Sequence, residues 1–166
     1  MKIVTAAEMR EIDRATSEKF GIPSTMLMEN AGMAAADFCV AQYPKADRIT
    51  IICGRGNNGG DGFVASRRLH EAGKKVSVLL LGEPSDLRGD AKIMFEKLTI
   101  PVLYAKTPKE LETKTVRSLY LDADLLIDAI LGTGFSPPLT PLAESAIQMF
   151  NEASSPVVSV DLPSGA

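Results

Sequence analysis

Apolar and polar positions along the chain change their spacing once, at about residue 48. Before that point apolar residues recur at helical spacing, which is typical of helices packed on one face. Thr5 and Glu8 match a capping box and predict a first helix that ends at Phe20–Gly21. Ser24 begins a second stretch of this kind, which continues to about Tyr43. The first part of the chain therefore predicts two helices.

From residue 48 onward, short apolar runs alternate with amphipathic stretches. The runs predict five strands, at about 49–53, 75–81, 101–104, 124–128 and 157–160. The stretches between them predict helices at about 60–72, 86–98, 108–120 and 140–152. Strands that are almost entirely apolar and alternate with helices are typical of a parallel sheet covered on both faces. The sequence predicts an α/β fold with a doubly wound sheet that follows two N-terminal helices.

These patterns predict one domain over residues 1–166, with the N-terminal helices in 1–45 and the α/β core in 46–166. No linker, repeat or low-complexity tract divides the sequence. The sequence stops within Asp161–Ala166, directly after the last predicted strand, so we expect the core to be incomplete at its C-terminus.

Composition narrows the class of function. The chain has 166 residues, of which 45% are hydrophobic and 23% are charged, as in ordinary globular proteins. Its 18 basic and 21 acidic residues give a net charge of −3, so it lacks the basic surplus of proteins that bind duplex nucleic acid or anionic membranes. No apolar run approaches the ~18–20 residues of a membrane span, and the first residues lack a signal-peptide core. We therefore expect a cytoplasmic protein without a nucleic-acid or membrane partner.

Cysteine and histidine are too few for several common types of site. Cys39 and Cys53 lie too far apart for a CxxC motif, and we predict that they are reduced structural thiols. The single histidine, His70, falls in a predicted helix and is expected at the surface. This composition disfavours a His-rich metal site and a Ser-His-Asp triad.

The segment Gly54–Gly62 follows the first predicted strand and carries five glycines in nine residues. Glycine lets backbone amides approach a ligand closely, and the following helix adds its N-terminal amides and the positive end of its dipole. Gly54, Gly56 and Gly59 also match the GxGxxG dinucleotide fingerprint, with Glu83 roughly where a ribose-binding acid would stand. The pattern predicts a phosphate-binding loop.

Two further loops follow predicted strands and carry polar side chains. Asp128 leads into the glycine-bearing segment 132–138, and Asp161 leads into Leu162–Gly165. Because the carboxyl ends of parallel strands share one edge of a sheet, we expect Asp61, Asp128 and Asp161 to lie together. Such carboxylates need a cation, a proton or a catalytic task, since like charges repel. Their oxygens suit a hard cation rather than zinc.

Four motifs in order along the chain resemble the NAD(P)H-hydrate epimerase family: Leu27–Gly32, Asn57–Gly62, Asp128–Gly134 and Ser159–Gly165. The resemblance implies a Rossmann-like three-layer αβα sandwich with a mostly parallel sheet. It also implies an isomerase of nicotinamide nucleotide repair, which interconverts the R and S forms of hydrated NADH and NADPH (NADHX and NADPHX) for an S-specific dehydratase. We expect that dehydratase as a partner, fused or separate, and we expect a homodimer.

The same resemblance implies the residues of the site. One potassium ion per subunit would be bound by Asn58, Asp128 and Ser164. The substrate would contact the first loop, the loop after the fourth strand and one residue after the fifth: Asn57, Asn58, Gly59, Gly60, Asp61, Gly132, Thr133, Gly134, Phe135, Ser136, Pro137, Pro138 and Asp161.

Epimerisation of such a hydrate requires a group that exchanges protons. C6 of the hydrated ring carries a hydroxyl and is bonded to the ring nitrogen, whose lone pair can help to expel water and leave a planar iminium. Water that returns to the other face gives the other epimer. We predict Asp161 as the acid–base group, because Asp128 would be occupied by the cation. Asp161 is expected in buried surroundings, where a carboxyl exchanges its proton near neutral pH.

Two other functions remain open. The GxGxxG match also suits an NAD(P)-dependent dehydrogenase, although the additional Asn57-Asn58 pair and the glycine loop after the fourth strand disfavour it. The second alternative is a non-catalytic nucleotide- or RNA-binding scaffold of the same fold. Scaffolds of this kind commonly lose the motif residues, whereas this chain retains Asp61, Asp128 and Asp161.

Overall fold

The computed structural model describes residues 5–166, which form one sheet and seven helices. The strands are β1 (Arg48–Cys53), β2 (Lys75–Leu81), β3 (Val102–Ala105), β4 (Leu125–Ala129) and β5 (Val157–Ser159). The helices are α1 (Ala6–Phe20), α2 (Ser24–Gln42), α3 (Asn57–Glu71), α4 (Gly89–Glu96), α5 (Pro108–Leu111), α6 (Lys114–Leu121) and α7 (Pro141–Glu152), with a 3₁₀ turn at Pro84–Asp86. None of these helices is long and apolar enough to cross a membrane.

The strand order is β3-β2-β1-β4-β5, and every pair of neighbours runs parallel. The chain builds outward from β1 to β3 and then returns to place β4 on the other side of β1. In register, Ile52 of β1 lies beside Asp128 of β4, which lies beside Ser159 of β5. The loops after β1 and β4 therefore meet where the strand order reverses, which is the usual ligand position in this architecture. The predicted doubly wound α/β fold is confirmed.

Alternate strand residues contribute to two apolar cores, one on each face of the sheet. Ile51 and Ile127 belong to a core shared with α2, α3 and α4. Ile52 and Leu126 belong to the opposite core, which includes Tyr120 of α6 and residues of α7. Because both faces are covered, β1 and β4 are buried along almost their whole length. This burial explains why their sequences are nearly unbroken apolar runs.

Both N-terminal helices occur where the sequence predicts them. Glu8 N donates to Thr5 Oγ1 (3.2 Å) and Thr5 N donates to Glu8 Oε2 (2.7 Å), so the predicted capping box is present. Helix α1 ends before Gly21, whose φ of 67° favours glycine. Helix α2 buries Met28 and Gly32, and Gly32 packs against α3.

Helix α3 starts at Asn57, earlier than the predicted start at about residue 60. Glycine is a poor helix former, so Gly59 and Gly60 had favoured a loop at this point. Both glycines are buried, and close packing holds them in the first turn of the helix. Tertiary contacts have overridden local propensity here.

Two other predicted helices are interrupted for local reasons. The helix expected over 86–98 is a 3₁₀ turn followed by α4, because Leu87 is fully buried and Gly89 has a φ of 53°. The helix expected over 108–120 is split into α5 and α6. Thr113 caps the second of these, since its hydroxyl oxygen accepts a hydrogen bond from an amide of the first turn of α6.

The two cysteines and the histidine occupy the surroundings expected for them. Cys39 and Cys53 are buried with free thiols. Burial raises the pKa of the Cys39 thiol to about 11 and also raises the pKa of Cys53. Thiols that remain protonated at neutral pH are poor nucleophiles and metal ligands. His70 is exposed on α3.

The contact between α2 and α3 makes Gly32 a test of this packing. A Cβ on Gly32 would lie 2.4 Å from Val64 Cβ and 2.5 Å from Asp61 O. At an open helical position, a Gly→Ala change stabilises by about 1 kcal/mol. We expect Gly32→Ala to lower the free energy of unfolding by about 1–3 kcal/mol instead, because the helices must separate. Urea denaturation measures this change.

The matched control is Gly134→Ala, since no atom lies within 4 Å of the position that a Cβ would occupy there. Its stability is expected to stay within about 0.5 kcal/mol of the parent. A Gly32→Ala protein as stable as the parent would show that the two helices pack less closely.

Candidate active site

A tight turn between β1 and α3 forms the base of the site. Gly54 N donates to Ala129 O (2.9 Å), and a Cβ on Gly54 would lie 2.1 Å from Ile130 O. A Cβ on Gly59 would lie 1.9 Å from Gly54 O. Both positions need glycine because backbone packs directly on backbone. The turn therefore brings the start of α3 against the ends of β1 and β4.

The N-terminus of α3 presents backbone amides at this edge of the sheet. The amides of Asn57, Asn58 and Gly59 have no carbonyl partner within the helix, and the cap residue Gly56 has no side chain to accept from them. Gly60 N is the first to close a helical bond, to Gly56 O (3.1 Å). Three such amides and the positive end of the helix dipole favour an anion.

The remaining glycines of this segment serve packing inside the protein. A Cβ on Gly60 would lie 2.5 Å from Met28 Sδ, and a Cβ on Gly62 would lie 2.6 Å from Ala129 Cβ. Close packing therefore accounts for Gly60 and Gly62, and the phosphate-binding loop stays a prediction. The loop ends at Gly56, and the later glycines allow α3 to approach α2 and the sheet.

Asp128 is a buried carboxylate that joins the loops after β4 and β5. Only 2% of the residue is exposed. Its Oδ1 accepts hydrogen bonds from Ser164 Oγ (2.7 Å) and Ile130 N (3.1 Å), and its Oδ2 accepts one from Ser164 N (2.7 Å). No lysine, arginine or histidine of the described part of the chain forms an ion pair with it. The hydrogen bonds stabilise the charge and hold Ser164 against the end of β4.

Asn58 brings an amide oxygen to the same place. Its Nδ2 donates to Leu131 O (2.9 Å), and Leu131 N donates to Ser164 Oγ (3.0 Å). Asn58 Oδ1 is buried and has no hydrogen-bond partner among residues 5–166. A buried acceptor without a donor is rare in proteins, and oxygen atoms of this kind are the ligands that hard cations prefer. Asn58, Asp128 and Ser164 thus form one connected group whose chemistry fits a cation.

Asp161 lies in the loop after β5 and contacts the loop after β4. Its Oδ2 accepts a hydrogen bond from Thr133 N (2.7 Å), and a Cβ on Gly132 would lie 2.7 Å from the same oxygen. Asp161 is exposed, so the expectation that it lies in buried surroundings is wrong. Within residues 5–166, β5 is a short strand at the edge of the sheet, and the loop after it is open to solvent.

Asp61 lies on α3 and lines the same cleft as Asp161. Burial, and to a smaller degree the negative charges of Asp161 and Asp13, raise the pKa of Asp61 to about 7. A carboxyl group in this range can donate or accept a proton near neutral pH. From the sequence, a buried carboxyl group is expected at Asp161, whereas in the structure the largely buried carboxyl group of the cleft is that of Asp61.

A cleft of about 780 Å³ contains most of the expected substrate-binding residues. Those that line it are Asn57, Asn58, Asp61, Gly132, Thr133, Gly134, Phe135, Ser136, Pro138 and Asp161. Gly59, Gly60 and Pro137 do not line it, and neither do Asp128 and Ser164. The last two lie outside the lining and support it through their hydrogen bonds.

Several residues that line the cleft were not expected from the sequence, among them Met9, Asp13 and Arg55. Met9 and Asp13 come from α1, and Arg55 comes from the turn after β1. Arg55 stands inside the GxGxxG pattern, so its position was a usable signal. Asp13 is exposed on an amphipathic helix, and no local pattern indicates where that helix docks.

Comparisons with known proteins agree with this fold. The family model described as YjeF-related protein N-terminus matches residues 24–166. The chain is 42% identical to the bifunctional NAD(P)H-hydrate repair enzyme Nnr of Moorella thermoacetica, over 99% of this chain and 32% of that protein. It is 39% identical to the NAD(P)H-hydrate epimerase of Limosilactobacillus fermentum, over 98% of this chain and 74% of that protein.

A solved structure gives the same result. The crystal structure of the yeast protein ynu0 matches with a TM-score of 0.81 at 29% identity, over 99% of this chain and 72% of the yeast chain. The chain spans about a third of the length of its bifunctional relatives and about three quarters of the epimerase from Limosilactobacillus fermentum.

The raised pKa of Asp61 makes stability depend on pH in a defined direction. In the unfolded chain an aspartate loses its proton near pH 3.9, whereas folded Asp61 keeps it up to about pH 7. The folded state therefore binds more protons between these values, and its stability falls as the pH rises through them. We expect Asp61→Asn to be more stable than the parent at pH 8, by at least about 1.4 kcal/mol, or one pKa unit.

Thermal and urea denaturation at pH 4, 6 and 8 would measure this difference, which should be smallest at pH 4. Asp37→Asn, which removes an exposed carboxylate on α2 outside the cleft, is the matched control. An Asp61→Asn effect that does not grow with pH would contradict the burial of this acid.

Proposed function

Because the chain belongs to the family described as YjeF-related protein N-terminus, we propose that it is an NAD(P)H-hydrate epimerase. Its substrates would be the R and S forms of hydrated NADH and NADPH. The observation that carries the proposal is a pair of carboxyl groups, Asp61 and Asp161, which line one cleft beside the N-terminal amides of α3. The cleft thus combines an anion site with acid–base groups, and the reaction needs both.

The substrate would lie across the edge of the sheet with its pyrophosphate at the start of α3. The amides of Asn57, Asn58 and Gly59 would donate to phosphate oxygens. The hydrated nicotinamide ring would then lie on the β4 side, between the segment 132–138 and Asp161. Phe135, which is 39% exposed in this segment, offers an apolar surface to the ring.

The reaction would break and re-form the bond between C6 and its hydroxyl oxygen. The ring-nitrogen lone pair forms a C=N bond as the C6–O bond breaks, and the departing hydroxide takes a proton from an acid and leaves as water. A water molecule then attacks the planar C6 from the opposite face and gives one proton to a base. The proton count is restored, and only the configuration at C6 has changed.

Asp161 would exchange protons with the substrate, and Asp61 would be its proton-holding partner. Thr133 N fixes the orientation of the Asp161 carboxylate through a hydrogen bond of 2.7 Å. A pKa of about 7 leaves Asp61 partly protonated at neutral pH, so the cleft holds an acid and a base together. A bound ring would cover Asp161 and exclude water from it, which strengthens its electrostatic contacts.

Asn58, Asp128 and Ser164 would hold one potassium ion. The unpartnered Asn58 Oδ1 and the buried charge of Asp128 support this assignment. When bound, the ion would neutralise Asp128 and cross-link α3 with the loops after β4 and β5. The three residues would in this way set the width of the cleft rather than take part in proton transfer.

The partners of the protein would be a dehydratase specific for the S hydrate, fused or separate, and a second copy of this chain. Met26 and Phe38 of α2, each 51% exposed, are apolar side chains that a second copy would cover. Light scattering of the purified protein tests the dimer, and cell fractionation tests the expected cytoplasmic location.

Asp161→Asn tests the proposed function directly. It keeps the shape of the side chain but cannot exchange the proton, so we expect epimerisation to slow by ~10²–10⁴-fold while affinity for ADP-ribose changes little. The assay follows R-NADHX in the presence of excess S-specific dehydratase, with the spontaneous rate subtracted. Asp122→Asn, which alters an exposed residue after α6, is the control and should retain the parent rate.

If Asp161→Asn turns over like the parent, Asp161 is a binding residue and the acid–base role belongs to another group. If the parent shows no epimerisation, binds RNA, and Asp161→Ala retains that binding, the scaffold function is the better description.

The cation site predicts a dependence on potassium that is independent of activity. At equal ionic strength, we expect the parent to melt about 2–5 °C higher in potassium chloride than in sodium chloride, because the ion binds only the folded state. Asn58→Ala should lose this difference, since it removes the unpartnered oxygen. Asn57→Ala, its exposed neighbour, should keep it. Equal melting temperatures of the parent in both salts would rule out a potassium-selective site.

A further inference from the structure

A second cavity of about 360 Å³, which we call the β2–β3 pocket, lies beyond the carboxyl ends of β2 and β3. Its charged lining residues are Arg55, Glu83, Asp86 and Lys106. Arg55, together with three other residues, also lines the larger cleft, so the two cavities adjoin. None of the steps described above uses this pocket.

The proposed positions of the pyrophosphate and the hydrated ring do not account for the adenosine half of the dinucleotide. In a doubly wound sheet, a dinucleotide lies across the carboxyl ends of the strands, with its pyrophosphate at the first helix N-terminus. The hydrated ring occupies the β4 side in our proposal. The adenosine half must then extend to the other side of α3, above β2 and β3, and the β2–β3 pocket is found there.

Arg55 connects the two cavities. Its side chain lies against the backbone of Gly82, where a Cβ would be only 2.8 Å from Arg55 Cδ. Gly82 also has a φ of 141°, a backbone conformation that favours glycine. Both this conformation and the close contact with Arg55 therefore favour glycine at this position. Arg55 forms no ion pair within residues 5–166. A guanidinium between the cavities is placed to bind an anion that passes from one to the other.

Glu83 is held at the rim of the pocket, two residues after β2 ends. Its Oε1 accepts from Lys106 Nζ at 2.5 Å, and its backbone N donates to Asp86 Oδ2 at 3.0 Å. Its Oε2 has one long contact, from Ser85 Oγ at 3.4 Å. A carboxylate has about four acceptor positions, so Glu83 retains capacity to accept from the hydroxyls of a sugar.

We propose that the β2–β3 pocket binds the adenosine ribose of the dinucleotide, with Glu83 accepting hydrogen bonds from its free 2′- and 3′-hydroxyls. The assignment rests on the proposed function for the identity of the ligand. A 2′-phosphate at this point would bring negative charge against Glu83 and Asp86, while Lys106 is already paired with Glu83. The chain therefore prefers hydrated NADH to hydrated NADPH.

The test uses two probes that lack the nicotinamide ring, ADP-ribose and ADP-ribose 2′-phosphate, measured by titration calorimetry. We expect the parent to bind ADP-ribose at least about 10-fold more tightly than its 2′-phosphate, because one hydrogen bond to a charged group is lost and repulsion is added. Glu83→Gln should weaken the binding of ADP-ribose and strengthen the binding of its 2′-phosphate. The ratio of the two affinities should therefore fall at least about 10-fold. Glu83→Asp, which keeps the charge, should retain the order of the two ligands.

The matched control is Glu71→Gln, which removes an exposed, ion-paired carboxylate at the far end of α3. It should bind both probes like the parent. If the parent does not distinguish the probes, or if Glu83→Gln leaves their ratio unchanged, the proposal is overturned.

Epimerase assays with NADHX and NADPHX separate this proposal from the proposed function. If the protein epimerises both hydrates and Glu83→Gln does not change its preference for NADHX, the proposed function is retained and the ribose site is overturned. If the protein has no epimerase activity but prefers ADP-ribose, and that preference depends on Glu83, the ribose site is supported and the proposed function is overturned.

Discussion

Asp128 places a carboxylate inside the protein, and a buried charge is stable only where hydrogen bonds or an opposite charge surround it. Here four hydrogen bonds reach it: two from Ser164, one from Ile130 N and a longer one from Ser159 Oγ (3.4 Å). Ser164 belongs to the loop after β5 and Asp128 to β4, so the need to satisfy this charge holds one loop against the other. Leu131 N donates to Ser164 Oγ and Leu131 O accepts from Asn58, which extends the same network to α3. The walls of the cleft depend on this single residue.

The glycine-rich segment meets two demands at once, and its composition reflects both. Gly54 and Gly59 let backbone pack on backbone at the end of β1, while Gly60 and Gly62 let α3 approach α2 and the sheet. Close packing brings the first turn of α3 near β4, so its amides lie within reach of the group around Asp128. The amides that would bind an anion in the proposed function therefore reach this edge of the sheet through the packing of the helix. A ligand-binding motif and a packing motif look alike in sequence for this reason.

The sequence was informative where structure is determined locally or by burial on both faces. It predicted the capping box of Thr5 and the five parallel strands, because capping is local and strands buried on both faces are apolar runs. The grouping of Asn58, Asp128 and Ser164 was implied by the family resemblance and not by the pattern of apolar residues. The sequence did not predict that α3 begins at Asn57 or that Asp161 is exposed. The first depends on contacts with α2, and the second on the position of β5 at the edge of the sheet. Both are properties of the assembled fold.

The charges of the cleft are distributed unevenly, and this asymmetry agrees with the proposed chemistry. The amides of α3 and Arg55 form a positive region, whereas Asp13, Asp61 and Asp161 form a negative one. The negative charge of a dinucleotide lies on its pyrophosphate, so the positive region orients the ligand. Its hydrated ring is neutral at first and becomes a cationic iminium when hydroxide leaves. Carboxylates held close together at that end repel one another before the reaction and are relieved as positive charge develops beside them. In the proposed reaction, this arrangement would stabilise the transition state more than the bound substrate, which is the condition for catalysis.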